Sequence, residues 1–325
     1  MFMLNKGLTL FFLAVALTAC KYSPGGSAGT GGQPTAPVDT VLPLEADTAQ
    51  VFRLPDIPVV LSTPEQRAEF LASHYWDCLG TADTGVLLHS EALEQAWANY
   101  CDLLRHVPLP VARQAIKELF SSLESDMKLY VHFKSLAESY LDDPNSPLRN
   151  EDIYISVLEA MVSSDRLGDM DKLRPRARLK LALKNRPGGE AEDFTYTLAT
   201  GERGTLHRIP AEYILLFFNE PGCETCAATM DGLKSVDGVT RLVGQGRLAV
   251  LLMYIDDDLA EWNRHRPDFP DTWINGYDAA QLIRKRQLYD VRATPSLYLL
   301  DKDKKVLLKD ASLQEILAFL ENRAG

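Results

Sequence analysis

Cys223 and Cys226, in the run Gly222-Cys223-Glu224-Thr225-Cys226, are the residues of this chain best suited by type and spacing to carry chemistry. Two thiols at this separation can pass electrons to a third sulfur. One attacks a disulfide to form a mixed disulfide, and the other then displaces it. The same spacing is also half of a common zinc site, or a structural pair. No second Cys-x-x-Cys occurs, and the remaining cysteines and the histidines show no matching spacing, so neither a metal nor a cofactor is expected.

The surroundings of the pair decide its reactivity. Tyr213 to Phe218 is an unbroken apolar run of strand length, as a central strand covered on both faces requires. It stops at Asn219-Glu220-Pro221-Gly222. Beyond the cysteines, Ala227, Met230, Leu233 and Val236 recur at helical spacing. Cys223 thus falls where a strand gives way to a helix, and there unpaired backbone N–H groups and the positive end of the helix dipole favour a thiolate. It is the expected nucleophile. Cys226, on nearly the same helical face, is the expected resolving thiol. Two carboxylates are candidate modulators of this chemistry. Glu224 sets negative charge beside the sulfur against the helix field, which predicts a reducing or isomerase-like poise. Glu220 follows closely a strand that carries no acid of its own, and it serves either as a proton carrier or simply as an exposed loop residue.

The remaining elements of this half alternate. Leu248 to Ile255 reads as a second buried strand ending in Asp256-Asp257-Asp258, a run that caps the next helix or, alternatively, holds a cation. A loop with Pro267, Pro270 and Trp273 follows, then a helical stretch through Leu282, Ile283 and Leu288. Tyr289-Asp290-Val291-Arg292-Ala293-Thr294-Pro295 leads into a strand over Ser296 to Leu300, where proline at a strand start is permitted. Asp301 to Lys305 makes a polar hairpin turn into Val306-Leu307-Leu308. Ser312 caps a closing helix through Leu313, Ile316, Leu317 and Leu320.

The amino-terminal half follows a different pattern. From about residue 51 the apolar residues fall at helical spacing: Phe70, Leu71, Tyr75 and Trp76; Leu93, Ala96, Trp97, Tyr100 and Leu104 after Ser90; Ile116, Leu119, Phe120 and Leu123. Ser62-Thr63-Pro64-Glu65 opens the first helix, and further segments run near Lys128 to Leu141 and Glu151 to Ser163. The aromatic stripes read as core. Cys78 and Cys101 are either bridged or two buried thiols. Asn185-Arg186-Pro187-Gly188-Gly189 is a turn and the expected boundary. The predicted class is therefore α+β in two domains, an all-helical one over 51–186 and an α/β one over 187–325.

Residues 21–50 hold Ser23-Pro24-Gly25-Gly26-Ser27 and Gly29-Thr30-Gly31-Gly32, and they read as a flexible tether. Residues 1–20 read as an export signal: Lys6 precedes an apolar run too short to span a bilayer, ending in Leu17-Thr18-Ala19-Cys20. That tetrad resembles a bacterial lipobox, which implies lipidation of Cys20; an ordinary secretory signal is the alternative. No later segment suggests a membrane span. Export would place the cysteines where disulfides persist. The 325 residues are 46% hydrophobic with a formal net charge of −11, enough apolar surface for two cores and no basic cluster for a nucleic acid.

From about Glu190 onward, strand, Cys-x-x-Cys helix, strand, helix, Thr294-Pro295, hairpin and final helix occur in the order of the thioredoxin-like family, and resemble its TlpA/ResA envelope type. The resemblance implies that Pro295 is cis and that the backbone of Thr294 lies beside Cys223, where a substrate segment can pair as an extra strand. Trp76, Asp143 to Pro147, Arg174-Pro175 and Asn185 to Gly188 extend the likeness to Bacteroidetes lipoproteins in which a helical domain of unknown function precedes the thioredoxin-like one. Thioredoxin itself has Trp-Cys-Gly-Pro-Cys; here Gly222 stands before the pair and Glu224-Thr225 within it. The implied activity is thiol–disulfide exchange with exported proteins carrying thiols or disulfides. An unidentified electron donor would recharge the pair, and a lipid on Cys20 would hold the protein at the cell envelope facing the periplasm. The alternatives are a binding or scaffold lipoprotein without enzymatic activity, and a thiol peroxidase. The latter needs an arginine near its cysteine, and none downstream stands out.

Overall fold

Thr63 opens the first helix with a capping box, its hydroxyl accepting from the Gln66 N–H while the Gln66 side chain returns to the Thr63 N–H. The computed structural model describes residues 54–81, 85, 88 and 91–323. The export segment, Cys20, the tether and Ser90 lie outside the described residues. The helical portion comprises α1 (Pro64–His74), α2 (Glu91–Leu104), α3 (Leu109–Leu123), α4 (Met127–Ala137), α5 (Glu151–Ser163) and α6 (Asp169–Ala182). Pro108 precedes α3, while Asp126 and Asn150 cap α4 and α5 with their side chains. The segment read as helical to Leu141 ends its α-helix at Ala137 and finishes in a π turn, Glu138–Asp142. The core gathers Trp76, Trp97, Tyr100 and Phe133, with Trp76 and Trp97 each edge-on to Phe133 at 4.9 and 5.5 Å between ring centres. Cys101 is wholly buried, and burial pushes its thiol far above the ordinary range; no disulfide joins it to Cys78.

The described residues of the second half build one seven-stranded sheet from β1 (Thr195–Leu198), β2 (Arg203–Thr205), β3 (Tyr213–Phe218), β4 (Leu248–Tyr254), β5 (Ile274–Tyr277), β6 (Ser296–Asp301) and β7 (Val306–Lys309), in the order β2-β1-β5-β4-β3-β6-β7. β3 runs parallel to β4 and antiparallel to β6. Its apolar run divides by pleat: Ile214, Leu216 and Phe218 enter one core, and Leu215 and Phe217 the other. Between the strands lie α7 (Glu224–Ser235), α8 (Asp237–Gly244), α9 (Leu259–His265) and α10 (Leu282–Lys285); α11 (Leu313–Glu321) closes the chain. α11 starts on a capping box from Ser312 and Glu315.

Two expectations need correction. The loop after Pro270 contains β5, which pairs with β4 and with β1, and β1 in turn pairs with β2. The helix expected through Leu288 stops at Lys285, because Gln281 and Gln287 take left-handed backbone angles on either side of it (φ 53° and 49°). The aspartate run acts as a cap: Asp258 accepts from the Glu261 N–H at 2.9 Å, and Asp256 pairs with Arg284. No helix of the described residues is long and apolar enough to cross a membrane.

Candidate active site

β3 delivers the chain to Asn219, Gly222 turns it through a left-handed angle (φ 76°) open to glycine, and Cys223 becomes the N-cap of α7. The Cys223 Sγ accepts from the Cys226 N–H at 3.2 Å, so the sulfur takes the place that a serine or aspartate oxygen usually holds at a helix start. The sulfur thus answers an otherwise orphan amide at the positive end of the helix dipole. Across from it, the Thr294–Pro295 peptide is cis and the Thr294 carbonyl oxygen lies 3.7 Å from the same sulfur. Cys223, Thr294 and Pro295 are all partly exposed.

Cys226 differs in kind. It is 2% exposed within the core beneath α7, and burial, reinforced by the neighbouring Cys223 sulfur, pushes its thiol well above the usual range. The nearby Thr294 side chain and Glu220 backbone oppose that rise. Glu220 is exposed, and its carboxylate accepts from the Thr294 hydroxyl at 3.4 Å. Glu220 and Thr294 therefore form a polar pair at the edge of the site, with the carboxylate open to solvent. Glu224 lies exposed in the first turn of α7, adjacent in sequence to Cys223.

The residues expected from sequence, Cys223, Cys226, Thr294 and Pro295, come together here with Glu220 at their edge. Sequence reasoning misses a second group. Asp142, at the end of the π turn, receives a forked pair of hydrogen bonds from Arg178 of α6, at 2.8 and 3.2 Å. Arg178 also lies 2.8 Å from the buried Asp290. Arg292, two residues before Thr294, reaches Asp142 at 2.9 Å and Asp290 at 3.2 Å. Arg292 does not stand out in the sequence, and its guanidinium is shared by these two carboxylates. An acid ahead of Asp143-Pro144 reads as an ordinary turn residue, so only Arg292's position beside Thr294 hints at the group.

Residues 30–185 match the model of a domain of unknown function, DUF5106. The crystal structure of a thioredoxin-like protein from Bacteroides caccae is 50% identical over 83% of this chain and 98% of its own, with a TM-score of 0.80. The carboxy-terminal domain of an uncharacterised protein from Bacteroides fragilis is 50% identical over 42% of this chain and 98% of its own (TM-score 0.41). A domain of a possible thiol-disulfide isomerase from Cytophaga hutchinsonii is 24% identical over 43% of this chain and 95% of its own (TM-score 0.38). No curated protein matches the chain.

Proposed function

The chain belongs to the thioredoxin-like family represented by the Bacteroides caccae protein, with a DUF5106 domain ahead of its thioredoxin-like fold, and from that premise we propose that it is a thiol–disulfide oxidoreductase acting on exported proteins. One observation carries the reading: the partly exposed Cys223 sulfur is held by the Cys226 N–H at 3.2 Å and faces the Thr294 carbonyl at 3.7 Å, with a buried second thiol three residues on.

In the reducing direction the Cys223 thiolate attacks a substrate disulfide, forming a mixed disulfide and releasing one substrate thiolate. The Cys226 thiol then gives up its proton and attacks the Cys223 sulfur. The mixed disulfide breaks, the second substrate thiolate leaves, and the Cys223–Cys226 disulfide holds the oxidation that the substrate has lost. The high affinity of Cys226 for its proton keeps it from competing as a nucleophile before the mixed disulfide forms. Glu220, bonded to the Thr294 hydroxyl at the edge of the site, is the proposed acceptor for that proton. The proposed poise is reducing or isomerase-like, with the Glu224 carboxylate in the first turn of α7 next to Cys223 in sequence. A dithiol donor restores the pair. Lipid on Cys20 and the tether after it hold this chemistry at the envelope membrane, facing the periplasm.

Insulin reduction by the full chain tests the assignment. Precipitation of the insulin B chain is expected with the parent protein, and loss by at least about a hundredfold in both Cys223→Ser and Cys226→Ser. A parent protein without activity, or a Cys223→Ser variant that keeps it, contradicts the reading.

A further inference from the structure

The loop that faces Cys223 is fastened to the helical portion. Asp142 and Arg178 come from the helices, Asp290 and Arg292 from the segment that runs into the cis Thr294–Pro295 peptide, and the four side chains pair alternately at 2.8 to 3.2 Å. Three members of the group are largely dry, Asp290 at 3% exposed, Arg178 at 13% and Asp142 at 16%, while Arg292 is 30% exposed. The loop following Asp142 continues the contact. Pro144 and Arg149 line a cavity of about 70 Å³ together with Ala293, Pro295 and Ser296, and Arg149 pairs with Asp310.

We propose that Asp142 is a positioning residue for the redox site. By fixing Arg292, the helical domain sets where the backbone of residues 292–294 lies, and so how a protein substrate is held against Cys223. The physical reason is the geometry of attachment. A free loop would sample many backbone angles, whereas the ion pairs Arg292–Asp142 and Arg178–Asp290 tie it to a second folded portion and leave one arrangement whose pairing edge is ready before substrate arrives. A small disulfide that needs no pairing edge should be indifferent to this anchoring.

The inference rests on the thiol–disulfide reading, and the test separates the two. In the full chain, Asp142→Asn is expected to raise KM for insulin by about tenfold with kcat little changed. Its reaction with the small disulfide 5,5′-dithiobis(2-nitrobenzoate) should equal the parent's. Hydrogen exchange at the amides of Ala293 and Thr294 should quicken by about tenfold, and Asp142→Glu should recover part of both effects. Unchanged KM and exchange in a folded variant would overturn the proposal, as would a parallel fall with insulin and the small disulfide. Should Asp142→Asn not fold, Arg292→Lys, which keeps the charge and loses the guanidinium that reaches Asp142 and Asp290 together, carries the same expectations. A parent protein inactive on insulin refutes the oxidoreductase reading alone, and exchange at residues 293 and 294 then decides the positioning role.

Discussion

Burial separates the two cysteines of the site more than their sequence spacing does. Cys223 opens toward solvent at a helix N-terminus, whereas Cys226 is 2% exposed and its thiol is shifted strongly upward by desolvation. A thiol reacts through its thiolate, and raising its affinity for the proton removes that form at neutral pH. Site-resolved mass spectrometry after iodoacetamide treatment of the reduced protein should therefore find Cys223 labelled at pH 7.5, with Cys226 and Cys101 protected until strongly alkaline pH. Rapid labelling of Cys226 at neutral pH would contradict the assignment of roles. The same shift has a sign for stability. The folded reduced protein keeps the Cys226 proton to a higher pH than the unfolded chain, whose thiols ionise near about 8.5, so stability present below that pH is lost above it. Cys223 and Cys226 stand out in the sequence because their relation is local, a strand run, a turn and a helix periodicity, whereas Thr294 and Pro295 enter through the thioredoxin-like resemblance. Their mutual approach is not local, and it comes from β6 lying antiparallel beside β3.

Among the elements, the long apolar strands β3, β4 and β6 are legible, while β1, β2 and β5 are not. The latter have three or four residues each, and Gly204 and Gly276 interrupt what apolar pattern they have. Their pairing depends on a distant side chain: Tyr196 of β1 lies across both glycines, so that a methyl group at Gly204 would meet its ring at 2.4 Å and one at Gly276 would meet its Cβ at 3.0 Å. An aromatic ring covering glycines on neighbouring strands supplies the packing that those residues lack. Truncating it opens a cavity above two bare backbones. Tyr196→Ala is expected to cost about 3 kcal/mol in urea unfolding, while Gly204→Ala overpacks the same contact and costs about 1–3 kcal/mol. A Tyr196→Ala variant as stable as its parent would show that this sheet edge draws its order from elsewhere. The short α10 is a related case, since left-handed residues on both sides end it where helical spacing alone continues.

At the scale of the whole molecule, the helical and sheet portions have separate cores and are joined by charge. Lys309 of β7, 5% exposed, lies 2.8 Å from Glu151 of α5 and donates to the carbonyls of Ala182 and Lys184 at 2.8 and 2.9 Å. Burial lowers its affinity for a proton despite the neighbouring carboxylate. Removing one partner leaves a buried charge without compensation, so Glu151→Ala is expected to destabilise the chain by about 3–5 kcal/mol, measured by denaturant unfolding. A loss below about 1 kcal/mol would mark the pair as a surface interaction. None of these partners is legible in the sequence: Lys309 stands in an ordinary edge strand and Glu151 in an ordinary first helical turn. Their pairing spans 158 positions, and neither periodicity nor spacing reports contacts of that range. The central claim is that Cys223 and Cys226 open and close one bond with each other. Equilibrating the full chain in dithiothreitol buffers and following that bond by mass spectrometry measures it most directly. The expected result is a single two-electron transition confined to this pair, at a potential between about −180 and −270 mV. A pair that never closes, or a potential near the roughly −120 mV of the strongest oxidants, would contradict the account.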